Sequence, residues 1–160
     1  FSYAILRYFN VVGADKNNKR GQLKSQSLFK TLSKNIINKK YSINIFGNNY
    51  PTKDKTCIRD YIDINDLVNI HFLSYKKIKK NLTLNCGYNV GYSVKQIISK
   101  FEEVSGRKIK IKLKPRRTGD LVAIWSNNQL LKKHFPGWKR KFTLTQSIKN
   151  SLNWERVNKK

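Results

Sequence analysis

An α/β fold is the class this sequence predicts, from two regularities along its 160 residues. Short apolar segments bounded by polar or glycine-containing ones recur as strand candidates, and between them lie longer stretches whose apolar residues return every three or four positions. The two patterns alternate instead of forming separate blocks, which is the mark of an α/β arrangement. At 39% apolar content the chain has the size of one domain with a moderate core.

Residues 3–9, which include the apolar run Tyr3-Ala4-Ile5-Leu6, read as the first strand. A helix follows over 26–38, then strands over 43–46 and 59–64. The next helix opens at Asn65-Asp66 and carries Leu67, Ile70, Phe72 and Leu73 on its apolar side. Residues 82–86 form another strand and 87–92 turn the chain. Ser93 is placed to cap a helix, because its hydroxyl can accept from an amide one turn on. Val94, Ile97, Ile98, Phe101 and Val104 give that helix a buried stripe, and Gly106 ends it. Lys108, Lys110, Lys112 and Lys114 alternate with Ile109, Ile111 and Leu113, the pattern of a strand with a wet lysine face and an inward apolar one. A loop over 115–120 and helices near 127–134 and 143–154 complete the series, without internal repeats or low-complexity linkers. On the residues alone this is part of an α/β domain.

With 34 Lys and Arg against 9 Asp and Glu, the formal charge is +25, which raises the possibility of a basic nucleic-acid-binding module. The lysines are spread along the chain and form no localised tract, so solvated faces account for them and no specific nucleic-acid partner is expected. No apolar segment approaches the roughly 20 residues that cross a bilayer, and no charged-then-apolar leader is visible, so a cytoplasmic product without a membrane partner is expected. Cys57 and Cys86 are expected to be reduced thiols. His71 and His134 have no ligand spacing around them, so no metal site is expected, and no nucleophile elbow is present.

The run Ile45-Phe46-Gly47-Asn48-Asn49-Tyr50-Pro51-Thr52-Lys53-Asp54-Lys55-Thr56-Cys57-Ile58-Arg59-Asp60-Tyr61-Ile62 is too idiosyncratic for a generic connection. It resembles the signature of the UDP-glucose 4-epimerases, which belong to the extended short-chain dehydrogenase/reductase group. Leu6-Arg7-Tyr8-Phe9-Asn10 upstream and Arg116-Arg117-Thr118-Gly119-Asp120 downstream match further motifs of that family in order and approximate spacing, joined by Asn85-Cys86-Gly87 and Trp154-Glu155. The resemblance covers essentially the whole chain, but only the C-terminal half of such an enzyme. It implies a C-terminal substrate-binding lobe of an extended Rossmann-type nucleotide-sugar epimerase, spanning 1–160, with 1–12 completing the Rossmann sheet. Pro51-Thr52-Lys53-Asp54 before Arg59 argues against the neighbouring possibility, another nucleotide-sugar epimerase or a dehydratase.

By this resemblance the complete enzyme interconverts UDP-galactose and UDP-glucose through a 4-keto sugar with bound NAD. Arg59 and Arg117 are expected to contact the UDP part, as planar guanidinium groups suit phosphate oxygens. Without the resemblance, a salt bridge from Arg59 to Asp60 or Asp66 would be the simpler reading. Asp120 is expected at the ribose hydroxyls, Asn44, Ile45 and Phe46 around the uracil, Leu28 in the nucleotide pocket, and Asn10 at the phosphate and hexose. Phe9 should line the nicotinamide side. Ile124 occupies a position that affects whether an N-acetyl group fits, Arg116 is a structural neighbour, and Asp54 and Thr56 order their loop. Ser27 and Asp63 depart from the residues usual in the family.

The eight glycines never fall in the G-x-G-x-x-G or G-x-x-G-x-x-G spacing that holds a dinucleotide pyrophosphate, and the chain contains no Met. A fragment without its N-terminal dinucleotide-binding half is therefore the expectation, inactive alone, with a homodimer possible for the complete enzyme. Tyr75 and Lys79 match Y-x-x-x-K, but they follow Arg7-Tyr8-Phe9-Asn10 where the family's catalytic pair precedes it. No catalytic residue is expected in this chain.

Overall fold

The computed structural model describes residues 1–24 and 26–159. Thirteen elements are assigned in it: strands β1 (Ala4–Tyr8) and β2 (Asn10–Val12), helix α1 (Leu28–Ile37), strands β3 (Ser42–Phe46) and β4 (Ile58–Asp63), helix α2 (Ile64–Lys77), strands β5 (Leu82–Cys86) and β6 (Gly91–Ser93), helix α3 (Val94–Ser105), strands β7 (Lys110–Lys114) and β8 (Ala123–Ile124), and helices α4 (Gln129–His134) and α5 (Leu144–Val157). The α/β class is as predicted, and β5 has the predicted limits.

Strand β4 organises the site. Its second half pairs in parallel with β2, Asn10 opposite Tyr61, while its first half is bordered by antiparallel β6 and parallel β8. Two further parallel pairs stand apart, β1 with β5 and β3 with β7. One core lies among α1, α3, α5, β3 and β4, centred on Leu32, Ile97, Phe101 and Ile148. A second joins α2, β5 and α4 through Ile62, Ile70, Leu84, Leu131 and Trp138. Each fully buried aliphatic or aromatic side chain contributes about 1.5–3 kcal/mol by leaving water.

Local chemistry explains the helix limits. Ser93 accepts from the Gln96 amide while the Gln96 side chain accepts from the Ser93 amide, a reciprocal cap, and Thr143 and Gln146 repeat it at α5. Gly106 closes α3 at φ +65°, a left-handed conformation that costs glycine nothing. Asp63 caps α2, accepting from the Asn65 amide at 2.8 Å. It is fully buried, and burial raises its pKa despite hydrogen bonds from Ser147 and Asn65. Nearby Asp60 and Asp66 are buried too, each satisfied by backbone amides and hydroxyls: Tyr88, Asn89 and Ser126 serve Asp60, while Tyr88, Lys141 and Phe142 serve Asp66.

Several expectations are corrected. The strand expected over 3–9 is β1, one residue shorter at each end, whereas β2, which follows after Phe9 and joins a different sheet, went unpredicted. The 87–92 turn ends in β6, and β8 went unpredicted. Ile111 and Leu113 do not face inward; they are 36% and 55% exposed, because β7 pairs only with β3 and lies at an edge that no described element covers. Phe72 is likewise exposed, on the outer side of α2. No described helix is long and apolar enough to cross a membrane.

Candidate nucleotide-binding site

A cavity of about 570 Å³ opens between β3, β4, the start of α1 and the loop after β7. Each wall comes from a separate element: Asn10 begins β2, Leu28 begins α1, Asn44, Ile45 and Phe46 lie on β3, Arg59 on β4, and Arg117 and Asp120 on the loop. Eight of the nine expected substrate residues thus line one cavity, although they are scattered over 110 positions from Asn10 to Asp120. Ile124 is outside it, 39% exposed and paired with Arg59 across β8 and β4. Phe9 is also off this wall, half-buried, its amide donating to the Cys86 carbonyl at 3.3 Å.

The cavity's electrostatics favour an anion. Arg59, Arg117 and Lys112 are its cations and Asp120 its one carboxylate among the described residues. Arg59 does not pair with Asp60 or Asp66; its Nη2 donates to Asp120 Oδ1 and to the Leu121 carbonyl (2.7 Å), and its Nη1 to the Ile58 carbonyl at 2.7 Å. Those bonds hold the guanidinium at the cavity edge with donors left over, since an arginine has five. Arg117 lies 4.0 Å from the Phe46 ring centroid, a cation stacked on an aromatic face. Arg116 instead stacks on Tyr50 at 4.3 Å and donates to the Asp120 carbonyl at 2.6 Å, which agrees with its expected structural position.

Asp54 and Thr56 order the loop before β4, as expected. The Asp54 carboxylate accepts from the Thr56 amide at 2.9 Å, the Thr56 hydroxyl at 2.7 Å and the Ser93 hydroxyl, which ties the loop to α3. Cys57 and Tyr61 form part of the cavity floor, and burial raises the pKa of both. Both cysteines are free thiols, and burial pushes Cys86 up to about 12. Ser27 caps α1 by accepting from the Lys30 amide at 3.3 Å.

Sequence reasoning missed Thr31, Asn35 and Lys112 on the cavity wall, and Tyr50 behind it. Lys112 could have been found only from its register opposite Asn44, which requires the β3–β7 pairing. Tyr75 is 85% exposed on α2 and lies off the cavity, as does Lys79. A second cavity of about 580 Å³, bordered by Val11, Arg20, Gln22, Ile64 and Val68, contains none of the expected residues.

The chain is similar to known proteins along nearly its whole length. The bifunctional UDP-glucose 4-epimerase and UDP-xylose 4-epimerase 3 of Arabidopsis thaliana is 35% identical over 162 residues, covering 96% of this chain and 46% of the relative. The UDP-glucose 4-epimerase of Azospirillum brasilense is 35% identical over 158 residues, covering 95% and 45%. The chain therefore spans about half the length of the curated relatives it matches. Among solved structures, the Stenotrophomonas maltophila UDP-glucose 4-epimerase with bound NAD and formylated UDP-arabinopyranose superposes with a TM-score of 0.92 at 31% identity, over 98% of this chain and 48% of that one. The Bifidobacterium longum enzyme in complex with NAD+ and UDP gives 0.89 at 31% identity, over 99% and 48%. Residues 1–91, more than half of the 160, match the family model described as the NAD dependent epimerase/dehydratase family, and the chain belongs to that family.

Proposed function

We propose that the cavity binds the UDP part of a nucleotide sugar and that the protein serves UDP-galactose and UDP-glucose interconversion. The observation that carries this reading is the convergence of Asn10, Leu28, Phe46, Arg59, Arg117 and Asp120 on one cavity with an excess of guanidinium charge. Relatives named UDP-glucose 4-epimerase support it, one of them solved with UDP.

In this reading Arg59 and Arg117 hold the diphosphate by charge-assisted hydrogen bonds, each stronger than a neutral one. The β3 backbone at Asn44 and Ile45 meets the uracil edge, Phe46 gives it an aromatic wall, and Leu28 closes the far side. Asp120 accepts from the ribose hydroxyls. Asn10 reaches the phosphate and hexose end, and Ile124, beside Arg59 but off the cavity wall, faces the hexose substituents. Firm retention of UDP leaves the sugar free to turn over between the two halves of an epimerisation, so that remote binding positions the reacting carbon.

NAD belongs to the same proposal, and the residues here fit only its edge. A pyrophosphate cradle needs glycines just before a helix N-terminus. The N-caps of the described helices are Ser27, Asp63, Ser93, Asn128 and Thr143, none preceded by such a turn. Phe9, at the end of β1, would supply one wall beside the nicotinamide, and bound NAD would supply a hydride acceptor for the sugar C4. The parallel pair β1–β5, with residues 1–12, would extend the sheet of a dinucleotide-binding half. The partners proposed are thus a UDP-sugar and that half.

Isothermal calorimetry of the purified chain with UDP, ADP and orthophosphate tests the binding reading. Saturable UDP binding that exceeds ADP is expected. Equal affinity for all three would reduce the cavity to a general anion trap.

A further inference from the structure

We infer that Tyr50 is a positioning residue for ribose recognition, holding the Asp120 carboxylate so that it can accept from a nucleotide's ribose hydroxyls while Arg59 remains available to phosphate. The inference rests on the UDP reading above and goes beyond it, since Tyr50 touches neither the cavity nor any residue expected there except Asp120.

Tyr50 is only 2% exposed. Its hydroxyl donates to Asp120 Oδ2 at 2.8 Å, its ring lies beneath the Arg116 guanidinium at 4.3 Å, and its edge abuts Gly47. A Cβ at Gly47 would sit 2.6 Å from the ring, so the glycine is what lets the ring lie flat there. The backbone is fixed as well: the Tyr50 amide donates to Lys55 and its carbonyl accepts from Thr52. A tyrosine held on one face, at its edge and at both backbone groups is a rigid platform for one hydroxyl.

That hydroxyl decides how Asp120 is shared. Oδ1 takes Arg59, Oδ2 takes Tyr50, and the Asp120 carbonyl takes Arg116. A carboxylate oxygen has two acceptor positions, so each retains one for a ligand hydroxyl. Without the Tyr50 hydroxyl, Oδ2 loses its only fixed partner among the described residues, and the carboxylate is free to swing into the two-pronged pairing that guanidinium and carboxylate prefer. One more Arg59 donor would then be taken from phosphate, and the acceptor positions left on Asp120 would point along the new carboxylate plane and away from the ribose hydroxyls.

The test is calorimetric titration of the chain with UDP and 2′,3′-dideoxy-UDP, for wild type, Tyr50→Phe, Asp120→Ala and the double variant, with thermal melts alongside. Phe keeps the ring under Arg116 and against Gly47, so Tyr50→Phe is expected to melt close to wild type. Its UDP affinity should fall about tenfold, as for loss of one hydrogen bond to a charged group. Its preference for UDP over the dideoxy analogue should largely vanish, which loosened loop packing alone would not cause. In the Asp120→Ala background Tyr50→Phe should add nothing. A Tyr50→Phe chain that binds UDP with wild-type affinity and preference overturns the inference while leaving the UDP reading intact. A wild-type chain that does not bind UDP overturns that reading, and the inference with it.

Discussion

The Arg117 guanidinium carbon lies 4.0 Å from the centre of the Phe46 ring, so two residues expected at opposite ends of a nucleotide touch each other across the cavity. An entering uracil would compete with Arg117 for that ring. The stacking costs about 0.5–1 kcal/mol to break at a partly exposed site, less than a phosphate contact returns to the same guanidinium.

Arg117→Ala is accordingly expected to weaken UDP binding by about 2–3 kcal/mol, the loss of a charge-assisted contact. Arg117→Lys should recover only part of it, since an ammonium neither stacks nor grips two oxygens in a plane. Calorimetry on both variants checks this; an unchanged Kd in the alanine variant would remove Arg117 from the site.

Gly47 stands at φ +83°, and an added Cβ would come within 2.6 Å of the buried Tyr50 ring. Gly47→Ala should therefore lower stability by about 1–3 kcal/mol, from backbone strain and overpacking together. Urea unfolding measures it, and a neutral result would mean that the loop relaxes freely.

Ile124 is off the cavity wall, paired with Arg59 in the backbone register. Ile124→Tyr should leave UDP affinity within about 0.5 kcal/mol, as at a surface position. It should reduce affinity for UDP-N-acetylglucosamine relative to UDP-glucose, because the added ring enters the hexose end. Equal losses for all ligands would place Ile124 against the nucleotide instead.

Asp54 titrates below its ordinary 3.8: burial pushes it up, but hydrogen bonds from Ser93 and Thr56 and the charge of Lys95 outweigh burial. The folded chain thus binds this proton less readily than the unfolded one. The carboxylate's contribution is present above 3.8 and is lost as pH falls through the lower folded value. The Tm advantage of wild type over Asp54→Asn should be full near about pH 6 and shrink progressively below the ordinary carboxylate range. A gap independent of pH would show that charge on Asp54 is not what holds the loop.

How much of this was legible depended on whether the cause was local. Ser93, Gly106 and the stripe Ile97, Ile98, Phe101 fix α3 through contacts within one or two turns, and they were read correctly, though the return bond from Gln96 was not. The short strands β2, β6 and β8 have two or three residues each and exist only because β4 offers edges to them. Ile111 and Leu113 show the converse: alternation says that a strand has two faces, not that anything covers one. The cavity residues were legible through motif resemblance, since spacing alone cannot bring Arg59 to Asp120, 61 positions away. Tyr50 was passed over because it stands in what reads as a turn, and its partner Asp120 is 70 positions distant.

The most direct test of the account is an amide NMR titration of the purified chain with UDP. Shifts concentrated at Asn10, Leu28, Asn44 to Phe46, Arg59 and the 117–120 loop are expected, with no comparable response to NAD and no epimerase turnover by the 160-residue chain. Shifts centred on Val11, Arg20, Ile64 and Val68, or spread over exposed lysines away from the cavity such as Lys76, Lys77 and Lys79, would contradict the assignment of this cavity as the UDP site.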